Sequence, residues 1–303
     1  MSRATGLVIM STADHCLVDD LAGGLHRCQL RGRRAGRPVC GDRVRWTPGA
    51  PDGVIDGIEP RRNLIERGDF RGRPRALVAN VDRLVIVVAP EPAPDSLLVD
   101  RYLVLARTLA IPMLLWCNKQ DLVDRPSAQT LNTLRARCHR LDIPVLAGST
   151  TTGAGLPALR DQTRGETIIL VGQSGVGKSS ITQALIPALS LRIGEISATS
   201  GQGRHTTSET TLFRRDDDGA LIDSPGVRTL RLDHLGSEAV DQAYPEILEA
   251  AGACRFRDCR HDREPDCGVR EGLAAGAIEP ERFENWRRLR RETDTADTAE
   301  RGG

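Results

Sequence analysis

With 303 residues the chain is long enough to form two or three domains, and its net charge of +1 means that the molecule as a whole is not a polycation. Aromatic residues make up only 3% of it, which limits recognition of nucleic acids by base stacking. No run approaches the roughly 18 apolar residues of a membrane span, and the first residues lack the apolar region of a signal peptide. We therefore expect a cytoplasmic protein with no membrane partner.

Residues 1–75 contain short apolar runs separated by glycine and proline turns, which is typical of small β-barrels. The predicted strands lie at residues 6–10, 15–19, 26–30, 42–46 and 53–58. Five strands in so short a segment favour an OB-like Greek-key barrel, although another small barrel would give the same periodicity. We expect residues 63–79 to form a polar linker after it.

The same segment is basic, with 14 arginines against 9 acidic residues in residues 1–75. The arginines cluster in two places, first at Arg31, Arg33, Arg34 and Arg37, and then at Arg61, Arg62, Arg67, Arg71, Arg73 and Arg75. Such clusters are often only a solvated face, but on an OB-like barrel they favour a surface for an RNA phosphate backbone. We therefore predict that this end of the chain binds RNA.

After residue 75 the pattern changes to alternating strands and helices. Apolar runs at 81–88, 111–116 and 143–146 alternate with helix-like segments at 97–109 and 127–141. This alternation indicates a parallel α/β sheet, in which ligands bind outside the carboxyl ends of the strands. The sequence thus predicts a central α/β domain over residues 76–232.

A glycine-rich loop in this domain follows the apolar run 167–171 and precedes a helix-compatible segment at 181–185. Its residues are Gly172, Gln173, Ser174, Gly175, Val176, Gly177, Lys178, Ser179 and Ser180. The pattern is that of a phosphate-binding loop, in which backbone N–H groups surround the phosphates, Lys178 reaches the β- and γ-phosphates and Ser179 binds Mg²⁺. Only two of the 42 basic residues are lysines, and Lys178 is one of them.

The other lysine lies in the tetrad Asn118, Lys119, Gln120 and Asp121, directly after the predicted strand 111–116. This tetrad resembles the guanine-specificity motif of GTPases. The Asp121 carboxylate can accept hydrogen bonds from the ring N–H and the exocyclic amine of guanine, whereas adenine presents an acceptor at that ring position. Lys119 would pack along the base and Asn118 would tie the loop together. The two motifs together predict a binding site for GTP.

Two later segments resemble the switches of GTPases. In residues 200–208 a threonine hydroxyl would close onto Mg²⁺ and the γ-phosphate. Thr206 and Thr207 are both candidates for this role. We predict Thr207 and Ser179 as the Mg²⁺ ligands. Further on, Asp223 and Gly226 fit an Asp-x-x-Gly motif. Asp223 would hold Mg²⁺ through water, and the Gly226 N–H would meet the γ-phosphate.

The residue after this motif is Val227, where many GTPases carry the glutamine that orients the attacking water. A valine cannot orient water, so we expect intrinsic hydrolysis to be slow. His205, beside the switch threonines, is a candidate for positioning the water, and an exposed loop histidine is the alternative interpretation.

The C-terminal segment 233–303 contains three cysteines and one histidine within fourteen residues, Cys254, Cys259, His261 and Cys267. These residues supply a full tetrahedral set for structural Zn²⁺ with no open position for catalysis, while unrelated buried cysteines are the alternative. Eight cysteines in a cytosolic chain fit metal ligands or buried thiols better than a disulfide framework. We expect flanking helices at 237–251 and 280–291 and a disordered polar tail at 293–303.

The order of the motifs is unusual, because Asn118 precedes Gly172, whereas the phosphate loop comes first in Ras-like GTPases. The α/β domain is therefore circularly permuted. A permuted GTPase domain between an OB-like barrel and a mostly helical zinc-binding domain resembles the ribosome small-subunit-dependent GTPase A (RsgA/YjeQ) family. The resemblance covers nearly the whole chain, and the valine after Gly226 fits it.

The resemblance implies a GTP hydrolase that serves as a late-stage assembly factor of the small (30S) ribosomal subunit, binds 16S rRNA and is stimulated by the subunit. It implies one structural Zn²⁺, Mg²⁺ bound with GTP, and a monomer. The residues alone leave two alternatives: a nucleotide-switched regulatory GTPase that docks on proteins, and an RNA-binding module whose nucleotide site does not hydrolyse GTP.

Overall fold

The computed structural model describes residues 4–30, 36–68, 74–122, 125–200, 210–229, 232 and 234–301. The chain forms two compact units. One comprises residues 1–67, 75–94 and 111–229, and the other comprises residues 68–74, 95–110 and 230–303. No helix among the described residues is long and apolar enough to span a membrane. The three domains predicted over residues 1–75, 76–232 and 233–303 stay a prediction.

The first unit begins with a five-stranded barrel. Its strands are β1 (Ala4–Ser11), β2 (Cys16–Asp19), β3 (Leu25–Leu30), β4 (Arg43–Thr47) and β5 (Gly53–Ile58). They pair in the order β1-β2-β3-β5-β4, and β4 pairs back with β1, which closes the barrel. Because side chains alternate along a strand, every second residue points inward, and the core consists of Val8, Cys16, Val18, Cys28, Val44, Trp46 and Ile55. The predicted OB-like barrel is confirmed.

The segment 63–79, predicted as a linker, contains a two-stranded sheet of β6 (Leu64–Gly68) and β7 (Pro74–Ala79). That prediction was wrong because the many arginines and glycines lower the average hydrophobicity of the segment, although some of its positions are apolar. Ile65 and Val78 have no exposed surface, so each strand is held by buried apolar side chains that the average composition does not reveal.

The central sheet of the first unit consists of β8 (Arg83–Val88), β9 (Met113–Cys117), β10 (Val145–Ala147), β11 (Thr167–Val171), β12 (Thr211–Arg214) and β13 (Ala220–Asp223). The order is β10-β9-β8-β11-β13-β12, with parallel pairing throughout except between β13 and β12. All five residues of β9 are buried, as expected of a parallel strand covered on both faces. Because β12 also pairs with β1, the barrel and the central sheet form one continuous eleven-stranded sheet. The permuted α/β fold is confirmed.

The helices are α1 (Ser96–Thr108), α2 (Arg125–Arg140), α3 (Leu156–Gln162), α4 (Lys178–Leu185), α5 (Leu189–Ser200), α6 (Gly236–Gln242), α7 (Pro245–Ala251), α8 (Gly268–Ala274) and α9 (Pro280–Arg301). Helices α2 to α5 belong to the first unit, and α1 belongs with α6 to α9 in the second. Helix α5, which the sequence did not predict, packs against β2 and β3 of the barrel.

A buried charge network joins the helices of the second unit. The side chain of Arg282 on α9 is 2% exposed and donates hydrogen bonds to Asp100 on α1 at 2.8 Å and to Glu246 on α7 at 2.7 Å. Its guanidinium carbon lies 3.9 Å from the ring centre of Tyr244. Asp100 also accepts a hydrogen bond from Asn285 Nδ2 at 2.8 Å, so the buried charges have partners on several sides, as buried ion pairs require.

The ends of these helices differ from the sequence-based expectations. The helix predicted at 237–251 is divided into α6 and α7, because Pro245 has no N–H to continue the hydrogen-bonding pattern. The tail predicted as disordered from residue 293 continues α9 to Arg301, which corrects that prediction. Thr293 has no exposed surface, and its hydroxyl donates to the Arg290 carbonyl at 2.9 Å, so the first part of the tail is packed.

Candidate nucleotide site and metal centre

The glycine-rich loop joins the carboxyl end of β11 to the first residue of α4. Gly172 and Gly177 have φ angles of 137° and 98°. A Cβ atom at these positions would lie 2.2 Å from the Val87 carbonyl oxygen and 2.3 Å from Asn118 Nδ2. Only glycine therefore permits this backbone path. The path brings loop N–H groups together with a helix N-terminus, which is an arrangement that binds phosphate.

Lys178 lies within this loop and is only 8% exposed. Its Nζ donates to the Gly172 carbonyl at 2.8 Å and also to the Gln173 carbonyl. The loop thus holds the ammonium group close to its own backbone, where it can meet a phosphate oxygen. Ser179 and Ser180 follow in the first turn of α4 and are exposed.

The tetrad begins at the carboxyl end of β9, one strand away from β11 across β8. Asn118 has no exposed surface, and its Nδ2 donates to the Val176 carbonyl at 2.8 Å. The structure therefore ties the tetrad directly to the phosphate loop. Among the described residues, Asn118 Oδ1 is buried without a hydrogen-bond partner.

The rest of the tetrad is held by backbone carbonyl groups. Lys119 has a φ of 56°, uncommon for a residue with a side chain, and its Nζ donates to the Glu91 carbonyl at 2.8 Å. The Gln120 N–H donates to the Gly148 carbonyl at 3.1 Å. Asp121 is exposed in the short 3₁₀ turn Gln120–Leu122. Its carboxylate is therefore accessible to a nucleotide base. The loop that carries Asp121 is held by the hydrogen bonds of Lys119 and Gln120.

The Asp-x-x-Gly motif follows β13, which runs parallel to β11 with Ile222 opposite Ile169. Asp223 is the last residue of β13, so it lies at the same edge of the sheet as the phosphate loop. Val227 is 1% exposed and packs as an apolar core residue. The predicted switch residues His205, Thr206 and Thr207 lie outside the described residues.

The predicted metal ligands come together in the second unit. The candidate ligand atoms of Cys254, Cys259, His261 and Cys267 all lie within 4.8 Å of one another. His261 Nδ1 is 3.5 Å from Cys254 Sγ and 3.4 Å from Cys267 Sγ, and the two sulfurs are 3.9 Å apart. A tetrahedral zinc with Zn–S near 2.3 Å and Zn–N near 2.0 Å requires S···S of about 3.8 Å and S···N of about 3.5 Å. The donor set and its spacing therefore fit a four-coordinate zinc ion.

Two contacts shape the loop that carries these ligands. The His261 ring centre is 5.6 Å from that of Trp286 on α9. The Glu264 carboxylate accepts hydrogen bonds from the N–H groups of Arg260, Asp262 and Arg263 at 2.9–3.0 Å. These backbone hydrogen bonds lower the pKa of Glu264 to about 2, so it stays ionised and closes the turn between two ligands.

The other cysteines are separate from this cluster. Cys16, Cys28, Cys40, Cys117 and Cys138 are buried, and none of the eight cysteines, all of which are described, forms a disulfide. Burial raises the pKa of Cys28 to about 12 and that of Cys117 to about 11. These thiols are therefore neutral core side chains.

Comparison with known proteins agrees with this geometry. The family model described as RsgA GTPase matches residues 58–233. The protein named small ribosomal subunit biogenesis GTPase RsgA from Azotobacter vinelandii is 44% identical over 271 residues, which cover 89% of this chain and 79% of that protein. This chain belongs to the RsgA GTPase family. The protein of the same name from Pseudomonas fluorescens is 42% identical over 94% of this chain and 84% of its own length.

Two solved structures extend the comparison to the fold. The crystal structure of YjeQ from Thermotoga maritima has a TM-score of 0.76 and 29% identity, and covers 96% of this chain and 99% of its own. The structure of YloQ, described as a circularly permuted GTPase, has a TM-score of 0.70 at 24% identity and covers 97% of this chain and 96% of its own, a likeness of fold alone.

In this member of the RsgA family, sequence reasoning missed the residues that act through their backbone. The carbonyl groups of Glu91 and Gly148 hold Lys119 and Gln120. Neither residue type has a signature for this role, because every residue has a carbonyl group. Their contribution depends only on where the loops after β8 and β10 lie.

Proposed function

We propose that the chain is a GTP hydrolase that acts in late assembly of the small (30S) ribosomal subunit. The observation that carries this proposal is the convergence of the phosphate loop, the Asn-Lys-x-Asp tetrad and Asp223 at one edge of a parallel sheet, in a member of the RsgA GTPase family. The names of its relatives connect such a site with biogenesis of the small subunit.

Each part of the site has a chemical task. The loop from Gly172 to Ser180 binds the phosphates through its N–H groups, and Lys178 neutralises charge on the β- and γ-phosphates. The Asp121 carboxylate selects guanine. Ser179 and Asp223 would hold Mg²⁺, with Thr206 or Thr207 as a further ligand, and the bound ion would supply neutralisation of phosphate charge.

The hydrolysis step needs a group that positions water. Val227 is apolar and buried, so it does not orient water, and His205 is the candidate within the chain. The same reasoning predicts a slow reaction by the protein alone and a faster one when the small subunit completes the site.

The remaining parts of the chain are assigned to partners and stability. The barrel binds 16S rRNA, because the charge of this segment suits a phosphate backbone. One structural Zn²⁺ is held by the three cysteines and His261, whose spacing supports that donor set. The protein acts as a monomer in the cytoplasm.

The test is GTP turnover by the purified protein alone, with small subunits and with large subunits. A slow basal rate that rises strongly only with small subunits is the expected result. Lys178→Ala should abolish turnover in all three samples because it removes the phosphate-binding ammonium. A rate that is indifferent to both subunits would contradict the ribosomal assignment, and GTP binding without turnover in any sample would contradict hydrolysis.

A further inference from the structure

Strands β12 and β13 form an antiparallel pair that ends at the candidate nucleotide site. Thr211, the first residue of β12, lies opposite Asp223, the last residue of β13. Since β13 runs parallel to β11, its carboxyl end lies at the edge of the sheet where β11 leads into the phosphate loop. The antiparallel strand β12 therefore begins at this same edge.

One side-chain hydrogen bond continues this pairing beyond the ends of the strands. Thr210 directly precedes β12, and Ser224 directly follows β13. Their hydroxyl oxygens, Thr210 Oγ1 and Ser224 Oγ, are 2.8 Å apart, so one hydroxyl donates a hydrogen bond to the other. We name these two residues the hydroxyl pair. It joins the chain that enters β12 to the Asp-x-x-Gly motif at the end of β13.

The hydroxyl pair also lies beside the glycine of that motif. Ser224 is 5% exposed, and a Cβ at Gly226 would lie 3.8 Å from Ser224 Oγ and 3.3 Å from Leu77 Cδ2. Gly226 is therefore enclosed between the Ser224 hydroxyl and an apolar side chain of β7. A buried hydroxyl without a partner is costly in such a place, and Thr210 supplies the partner that Ser224 needs.

The position of the hydroxyl pair relates it to the groups expected around the γ-phosphate of GTP. Asp223 directly precedes Ser224, and the Gly226 N–H is the donor expected to meet the γ-phosphate. Thr210 comes two positions after the segment 200–208, which the sequence predicts as the first switch. One hydrogen bond thus connects the residue that follows one predicted switch with the motif of the other.

The hydrogen bond of the hydroxyl pair restricts direction as well as distance, so it holds the Asp-x-x-Gly motif more narrowly than apolar packing would. Groups that are held in place before a ligand binds lose less freedom when they bind it. GTP gains from this restriction because it carries the γ-phosphate. GDP lacks that phosphate, so its affinity does not depend on where the Gly226 N–H lies.

We infer that the hydroxyl pair positions the Asp-x-x-Gly motif for the γ-phosphate and so favours GTP over GDP. The inference rests on the proposed function, which names GTP as the substrate. It assigns Thr210 and Ser224, which lie outside the predicted site residues, as positioning residues for Asp223 and Gly226.

The experiment compares Thr210→Val, Ser224→Ala and the double variant with the wild type. Thr210→Ser keeps a hydroxyl at position 210 and serves as the conservative variant. The control Thr133→Val makes the same change on α2, where the exposed Thr133 donates to the Gln129 carbonyl at 3.1 Å. Affinities for GDP and for a non-hydrolysable GTP analogue, GTP turnover with and without small subunits, and thermal unfolding without nucleotide are measured for each protein.

Each single substitution of the hydroxyl pair should weaken binding of the GTP analogue about fivefold and leave the GDP affinity unchanged. The double variant should show the same loss as each single variant, because all three lack the same hydrogen bond. Turnover at saturating GTP should fall about tenfold, since the groups that meet the γ-phosphate are no longer held in position. Thr210→Ser and Thr133→Val should match the wild type.

Thermal unfolding separates this role from a contribution to stability alone. Thr210→Val leaves the buried Ser224 hydroxyl without its partner and should lower the unfolding temperature. The double variant removes both hydroxyls and should recover most of that temperature. Its preference for GTP and its turnover should nevertheless stay reduced.

Four results would overturn the inference. Equal weakening of GDP and of the GTP analogue would show that the hydroxyl pair supports the fold of the whole site. Wild-type affinities and turnover in the double variant would show that it contributes only to stability. Additive losses in the double variant would show two independent roles, and an equal loss in Thr133→Val would show that the effect is not local.

Failure of the proposed function gives a different result. A wild type that does not hydrolyse GTP, or that small subunits do not stimulate, contradicts the proposed function. The ratio of the affinities for the GTP analogue and GDP does not depend on hydrolysis or on a subunit, so it still decides the role of the hydroxyl pair.

Discussion

A single buried side chain ties the guanine tetrad to the phosphate loop. Asn118 has no exposed surface, and its Nδ2 donates to the Val176 carbonyl at 2.8 Å. Asn118→Ala leaves that carbonyl unsatisfied in a buried place, which costs about 1–3 kcal/mol. This free energy destabilises the conformation of the loop that would receive the phosphates. A tenfold change in affinity corresponds to about 1.4 kcal/mol. GTP and GDP should therefore both bind roughly 5- to 150-fold more weakly.

The assay is titration with fluorescent derivatives of GTP and GDP, repeated with xanthosine nucleotides to measure base preference. Asp121→Asn is the matched comparison in the same tetrad, because it changes the group that meets the base and keeps the tie to Val176. It should lose the preference for guanine over xanthine, whose ring presents an acceptor where guanine has its amine. Asn118→Ala should keep that preference.

Two results would refute this reasoning. Wild-type affinity in Asn118→Ala would show that the hydrogen bond does not organise the loop. A changed base preference in Asn118→Ala would show that the side chain acts on the base. Thermal unfolding without nucleotide separates either result from general loss of the fold.

Two further predictions concern the second unit. Cys259→Ser should lose bound zinc, and the ligand loop should unfold, because metal binding supplies folding energy there. Metal content measures the first effect, and Trp286 fluorescence measures the second. The control variant Cys28→Ser should keep the metal. Asp100→Ala should destabilise this unit by about 1–3 kcal/mol in urea unfolding, because the buried Arg282 loses one of its two carboxylate partners and keeps only Glu246. Asp100→Leu/Arg282→Met should recover most of that loss, and an equal loss in both variants would contradict the explanation.

The two motif-based sites could be predicted from sequence because each depends on short stretches of chain. The phosphate loop needs glycine at positions such as Gly172, where φ is 137°, and a preceding apolar strand. The metal cluster needs four ligand residues within fourteen positions of the chain. Residue type and spacing carry this information, so neither motif needs knowledge of distant contacts.

Composition gave a wrong prediction where a few buried residues stabilise a segment that is mostly polar. The segment 63–79 is rich in arginine, yet Ile65 and Val78 have no exposed surface and anchor two strands. The polar tail contains Thr293, which is buried on α9. Average polarity describes what a segment contains, whereas folding depends on which face of it is covered.

The sequence by itself contained the motifs on which the proposed chemistry rests: the Asn-Lys-x-Asp tetrad, the glycine-rich loop, the four residues that could hold a metal ion, and the permuted order of the motifs. Only the tertiary structure decided which groups within the chain form hydrogen bonds and ion pairs with each other. It joined Asn118 to Val176 across 58 positions of the chain and Arg282 to Asp100 across 182. It also paired Arg61 with a buried carboxylate while leaving the guanidinium of Arg45 exposed. Identical side chains have different roles because strand order and helix packing determine which groups come within hydrogen-bonding distance.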